Sequence, residues 1–254
     1  YLSGNVRRKL RMAKALYEAA SGVNLENSRK NEKILGNIQA LEAVQPVDLT
    51  AGEIGIRIGV NWIPKEIYEQ FMDEVFGTSS YARYKIKVLY SPHSGEWNVT
   101  SKSMDGSNIK AVTTYGTERI NAYHIFEQTL NQKDVRIFDT KIDANGNEVR
   151  VLNKKETAIA QDRQELIKAK FAEWIWKDID RRERLCGIYN ELFNSLRPRE
   201  YDGQHIRFSG MNPEISLRKH QINAIAHIMY GGNTLLAHEV GAGKTFEMVA
   251  AAME

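Results

Sequence analysis

A single cysteine, Cys186, stands in 254 residues, which excludes an internal disulfide and any paired-thiol motif. One thiol fits a reducing cytoplasm, the expected compartment. Beside Leu185 and Ile188 it reads as a small hydrophobe on the apolar side of a helix, with a catalytic thiol as the alternative. No apolar run approaches the ~18 residues of a membrane span, and no secretory signal is visible, so no membrane partner is expected. The six histidines show no metal-ligand spacing, and a lone cysteine builds no zinc site. Charge of one sign is scarce too. Lys and Arg number 35 against 32 Asp and Glu, and the net +3 is too small to mark a nucleic-acid binder by itself. Solenoid-type repeats and low-complexity tracts are missing. What is there suits a folded protein: 42% hydrophobic residues and room for one large domain or two small ones. The chain opens on Tyr1 and closes on Ala250 to Glu254 in a helical pattern still running, so it is expected to be a piece of something longer.

Apolar spacing organises the rest. Val6, Leu10, Ala13, Tyr17 and Ala20 mark a helix capped by Ser3 or Asn5. A polar break at Gly22, Asn24, Asn27 and Ser28 precedes a second helix carrying Ile34, Leu35, Ile38 and Leu41, so residues 1–46 read as a helical hairpin. Ile54, Ile56 and Ile58 alternate like a strand. Pro64 opens a helix burying Ile67, Phe71 and Val75, with Gly77 past its end. Strands are expected over Tyr84–Tyr90 and Glu96–Thr100, then a helix capped by Thr117 and running to about Leu130. A hairpin joins Val135–Ile142 to Glu148–Leu152 around Ala144-Asn145-Gly146-Asn147. Residues 47–153 thus read as an α+β domain. Lys154 to Leu196 is helical, with a break near Asp178–Asp180, and 154–200 is taken as a long connector.

The chemistry sits at the end. Asn233–Ala237 is a strand candidate, followed by His238-Glu239-Val240-Gly241-Ala242-Gly243-Lys244-Thr245 and a helix from Phe246. Strand, glycine loop, Gly-Lys-Thr and helix is the context of a phosphate-binding loop. Gly241 and Gly243 let the backbone curl so that N–H groups converge on a phosphate. The helix N-terminus adds partial positive charge. Lys244 reaches the β- and γ-phosphates, and Thr245 offers a hydroxyl to a magnesium ion. The general motif opens with Gly, where this chain has His238.

Leu217-Arg218-Lys219-His220-Gln221 puts a glutamine some two dozen residues ahead of Lys244. This pairing resembles superfamily 2 helicases of the Swi/Snf type, in which a glutamine at that place reads adenine. An amide suits the task because it donates and accepts at once. The loop of that family usually reads Asp-Glu-x-Gly-x-Gly-Lys-Thr; here His238 replaces the Asp and Glu239 keeps the Glu. Residues 1–10 (YLSGNVRRKL), Leu41–Pro64 and 197–213 (RPREYDGQHIRFSGMNP) also resemble the middle of very large proteins of bacterial conjugative elements and phages. Those proteins fuse an adenine-specific DNA methylase to such a helicase. The resemblance covers nearly the whole chain and implies a DNA substrate, ATP and Mg²⁺. The methylase Asn-Pro-Pro-Tyr motif is absent, since Asn212-Pro213 is followed by Glu214 and Ile215. The acidic Asp-Glu box and the second-lobe arginines are absent too, so no catalytic residue is assigned and efficient hydrolysis by this piece is not expected.

The expected fold is therefore an α+β accessory region with long helices, followed by the truncated start of an α/β, RecA-like motor domain over 201–254. The nucleotide-binding set is Gln221, Glu239, Val240, Gly241, Ala242, Gly243, Lys244 and Thr245. Basic clusters offer DNA contacts: Arg7, Arg8, Lys9, Arg11 and Lys14, then Arg181, Arg182 and Arg184, then Arg197 and Arg199. Of these, Arg7, Arg8, Arg11 and Lys14 are the DNA-binding candidates. A solvated helix face is the other reading of each cluster. Residues 47–153, with Lys85, Lys87, Lys102 and Lys110, are a candidate DNA-binding module, and Trp62 and Trp97 either stack on bases or fill the core. Two function classes stay open: a piece of a DNA-dependent ATPase, or a non-catalytic DNA- or protein-binding adaptor of a modification or antirestriction protein.

Overall fold

Capping chemistry and buried stripes shape this chain, as seen in a computed structural model that describes residues 2–21, 28–142 and 147–254. In chain order the elements begin with β1 (Gly4–Asn5), α1 (Val6–Ser21), α2 (Ser28–Glu42) and α3 (Lys65–Phe71). A π-helical turn (Met72–Phe76), α4 (Ser80–Arg83), β2 (Val88–Ser91) and β3 (Glu96–Val99) follow. Next come a second π-helical turn (Lys110–Thr114), α5 (Ala122–Leu130), β4 (Phe138–Ile142) and β5 (Glu148–Leu152). The chain continues through α6 (Lys154–Trp174), α7 (Ile179–Phe193), β6 (Leu196–Arg197), α8 (Lys219–Gly231) and α9 (Lys244–Met253). The architecture is mixed, helical over about half its length, with three small antiparallel sheets among the described residues: β1–β6, β2–β3 and β4–β5. No described helix is long and apolar enough to cross a membrane.

The chain divides into two compact units, residues 47–194 and residues 1–46 with 195–254. In the second of these, Asn5 caps α1 by accepting the Arg8 N–H at 2.8 Å. Val6, Ala13, Ile38 and Leu41 form the seam of the α1–α2 pair, with Leu10, Tyr17 and Ile34 alongside. The pairs Gly4–Arg197 and Asn5–Leu196 then bring the late part of the chain back to its beginning. The polar break at Gly22, Asn24 and Asn27, and the turn residues Ala144, Asn145 and Gly146, lie outside the described residues.

The unit 47–194 is built around aromatic rings. Phe71 packs on Phe126 at 5.4 Å, Phe171 at 5.1 Å and Trp174 at 5.2 Å between centroids. Offset and edge-on contacts at these spacings add to the area they bury. Gly77, at φ +69°, ends the α3 segment as a left-handed cap that favours glycine. Asp178 caps α7 through the Arg181 N–H at 2.8 Å, at the expected break.

Several expectations need correction. The boundary drawn at 153 does not divide the chain. Ala160, Ile167, Phe171, Trp174, Ile175 and Leu185 enter the same core as the preceding α+β elements, so α6 and α7 are structural members and not a connector. Ile54 and Ile58 are buried, but no ladder includes them and no strand forms there. The segment expected as a strand from Tyr84 begins in a turn after α4, and only Val88–Ser91 pairs. Asn121, not Thr117, caps α5, accepting the His124 N–H at 3.1 Å. The strand expected at Asn233–Ala237 is absent from every ladder, because strand N–H and C=O groups need a partner and no described strand supplies one.

Candidate functional site

The loop between α8 and α9 is where the sequence motif becomes geometry. Gly241 and Gly243 have φ of +87° and +88°, the left-handed region that favours glycine. A Cβ on Gly243 would sit 2.3 Å from Gln221 Nε2, so the site also needs hydrogen there. Phe246 and Glu247 send their N–H groups to the Gly243 carbonyl at 3.0 and 3.3 Å. Lys244 and Thr245 begin α9, which has no side-chain cap, so their N–H groups have no intrahelical acceptor. That end of the helix carries partial positive charge.

Lys244 is half-buried. Its ammonium donates to the carbonyls of His238 at 2.8 Å and Glu239 at 2.9 Å, bridging the start of the loop. Thr245 and Glu239 are exposed, Val240 is fully exposed, and Ala242 is half-buried, with its carbonyl facing α8. Gln221 is buried in the first turn of α8. Its Oε1 accepts the Arg218 N–H at 2.8 Å, while its Nε2 donates to the carbonyls of Ala242 and Gly243, both at 3.3 Å. The amide therefore ties α8 to the loop. His220 adds a second tie through Nε2 and the Ala242 carbonyl at 3.1 Å. All eight residues that the sequence offered for nucleotide binding thus lie on the loop, the start of α9 and the first turn of α8.

Sequence reasoning missed a pair beneath the loop. His238 Nδ1 lies 2.9 Å from Oε1 of Glu247, whose side chain has no exposed surface. The other oxygen, Glu247 Oε2, is buried with no hydrogen-bond partner. Glu247 precedes Ala250 by one helical turn on the buried side of α9, and that spacing is the only signal the sequence offered. Phe208, Met211, Ile215, Phe246, Val249 and Met253 line an apolar cavity of about 320 Å³ with other residues of this unit, but no loop residue from Gly241 to Thr245 does.

The basic clusters are partly engaged within the fold. Arg7 donates to the Pro46 carbonyl at 3.2 Å, Lys9 to the Ser3 carbonyl at 2.7 Å, and Lys14 pairs with Glu42 at 2.7 Å. Arg8 and Arg11 are exposed. Arg181 is a core residue, correcting its place in a surface cluster. Its guanidinium lies 3.5 Å over the Trp174 ring and donates to the carbonyls of Trp174 and Ile175. Trp97 is core as well, its indole N–H on the Gly59 carbonyl at 2.9 Å. Trp62 is partly buried and packs edge-on against Tyr189 at 5.3 Å, which leaves no free face for a base stack on that side. Lys87 and Lys102 pair with Glu69 and Glu127. Cys186 is half-buried, and burial pushes its thiol up from the ordinary value, which suits a packing role.

The unit 47–194 holds its own recess, a cavity of about 290 Å³ between the second π-helical turn, the Gly116–Glu118 segment and α6. Arg163 lines it with a buried Nε that has no partner, and Glu118 and Glu156 line it too. No group of three or more His, Cys, Asp or Glu side chains able to hold a metal occurs among the described residues. No curated protein and no solved structure matches the chain. A family model does match residues 57–195, more than half of the chain and nearly the span of the unit 47–194. The chain belongs to that family, described as Domain of unknown function (DUF8437).

Proposed function

We propose that residues 217–254 bind the phosphates of ATP with Mg²⁺, as the opening part of a RecA-like, Swi/Snf-type motor lobe in a protein that acts on DNA. The observation that carries this reading is the convergence at one helix start. Two left-handed glycines, an ammonium held at the loop and two N–H groups without intrahelical acceptors meet there. The residues fit the ligand: Lys244 meets the β- and γ-phosphates, Thr245 meets the magnesium ion, and the N–H groups of the loop cradle a phosphate. Gln221 reads adenine only by exchanging a contact to Ala242 or Gly243, so nucleotide binding and loop shape are coupled through this amide. Resemblance to the methylase–helicase fusions of mobile elements supports DNA as the substrate.

The test is titration of the full chain with ATP and Mg²⁺ by calorimetry. Lys244→Ala should weaken binding at least tenfold, about 1.4 kcal/mol, with the circular dichroism spectrum unchanged. A folded wild-type chain that binds no ATP would falsify the reading.

A second reading, a non-catalytic adaptor for DNA or protein, is favoured by the β4–β5 hairpin. Phe138, Ile142, Val149, Val151 and Leu152 are all exposed on it, and paired apolar strands left uncovered mark interaction surfaces.

A further inference from the structure

The His238–Glu247 pair has more structure than a packing contact requires. Glu247 is fully buried, and its carboxylate has one partner, His238 Nδ1, for two oxygens. Buried polar groups are nearly always satisfied, so an unpaired carboxylate oxygen calls for an explanation beyond packing. The imidazole is one-third exposed on its side chain, and its Nε2 takes no partner among the described residues. A ring anchored at one nitrogen by a buried carboxylate has its orientation fixed and its other nitrogen left to bond elsewhere. His238 also lends its own carbonyl to the Lys244 ammonium, so this ring belongs to the residue that seats the phosphate-facing cation.

We propose that His238 is a second phosphate contact of this loop, donating from Nε2 to a terminal oxygen of the bound polyphosphate, and that Glu247 is the residue that positions it. The inference rests on the nucleotide-binding reading above. To donate from Nε2 while Nδ1 donates to Glu247, the ring must carry both protons. Glu247 supplies the compensating negative charge at 2.9 Å. The charged and titratable groups around His238 are Glu247 and Lys244 on α9, Glu239 in the loop, and His220 on α8, whose ring lies edge-on at 5.7 Å. Two cations then face the phosphates, one permanent and one proton-dependent. This contact needs the doubly protonated ring, so the loop holds a polyphosphate more tightly as the medium becomes more acidic.

The test uses inorganic tripolyphosphate and ATP as probes of the full chain, titrated between pH 6 and 8. Wild type should bind more tightly at the acidic end. His238→Gln should weaken binding several-fold there and flatten the pH profile, while Lys244→Ala weakens binding across the whole range. Glu247→Gln should reduce the acid-side gain with His238 still present. His220→Gln reports whether the slope belongs to the neighbouring ring; a slope lost there and kept in His238→Gln overturns the proposal. Wild-type imidazole ¹⁵N shifts give a measure free of any substitution in the loop, and tripolyphosphate should move the Nε2 resonance of His238. Wild-type binding with an unchanged profile in His238→Gln and a still Nε2 resonance overturns this inference and leaves the nucleotide reading standing. No binding by wild type at any pH overturns both.

Discussion

Asp105 has 1% of its surface exposed and gathers four donors: the Ser79 hydroxyl at 2.6 Å and its N–H, the Asn108 amide at 2.8 Å and the Tyr123 hydroxyl at 2.7 Å. Burial pushes its carboxyl up, but the hydrogen bonds from Ser79, Asn108 and Tyr123 together outweigh it and hold the group below the ordinary value. A depressed carboxylate stabilises the fold above its unfolded pKa, and that contribution is lost as pH falls through the lower folded value. Asp105→Asn should therefore cost about 1–3 kcal/mol at pH 7, and the gap to wild type should narrow below about pH 4. Urea denaturation at pH 7 and pH 3 measures both numbers; a gap equally wide at both would rule out an ionised Asp105 as the cause. Nothing in the sequence singles out Asp105, since its donors come from residues 79, 108 and 123 and meet only in the fold. Gly59 was equally hidden. Its φ of +87° and the Leu130 carbonyl oxygen 2.0 Å from where a Cβ would stand are set by a distant helix end. Gly77, Gly241 and Gly243 were legible because their need is local: a helix end and a tight loop before a helix announce themselves in adjacent residues.

At the scale of elements, periodicity located faces but not their partners. The stripe Ile167, Phe171, Trp174 and Ile175 was visible as an apolar helix side, yet only the packed core shows that it closes on Tyr68 and Phe71. A helical stripe says that something covers it, and a free connector has nothing to do so. Phe171→Ala removes a ring stacked on Tyr68 at 5.7 Å and edge-on to Phe71, which should cost about 3–5 kcal/mol. A shift of the denaturation midpoint measures it. A change under 1 kcal/mol would return α6 to the role of a linker. Caps split in the same way. Both Thr117 and Asn121 are good N-cap residue types, and the choice fell to Asn121 because the Thr117 hydroxyl already accepts the N–H groups of Arg119 and Ile120, both at 3.2 Å, in the preceding turn. The glycine loop before α9 was visible as a turn, but the strand expected ahead of it was not realised, because a strand depends on a neighbour that local sequence does not contain.

For the whole molecule, the family match and the compact unit nearly coincide, at 57–195 and 47–194. The candidate nucleotide loop lies outside both. DNA binding, if it belongs to this chain, should be electrostatic and sequence-independent. Arg8→Ala with Arg11→Ala should weaken binding to all duplexes alike and lower the slope of log K against log salt by roughly 0.9 per lost phosphate contact. Fluorescence anisotropy across a salt series measures it, and a chain with no binding at low salt has no DNA role in this region. The path of the backbone carries a further consequence. Residues 47–194 form a unit set inside another, and their two ends are tied close together. Asn194 donates to the Val47 carbonyl at 2.7 Å, and Asn190 joins Leu49 through both its N–H and its carbonyl. On the ribosome, at about 5–20 residues per second, this inner piece is complete before residues 195–254 exist. Strand β1 must wait for it, because Gly4 and Asn5 find Arg197 and Leu196 only after the inner piece has been made. The closed inner unit then replaces a long floppy loop with a short clasp, so the outer partners meet at far smaller entropic cost than open chain of that length would demand. Order of synthesis, and not affinity alone, brings β1 to β6.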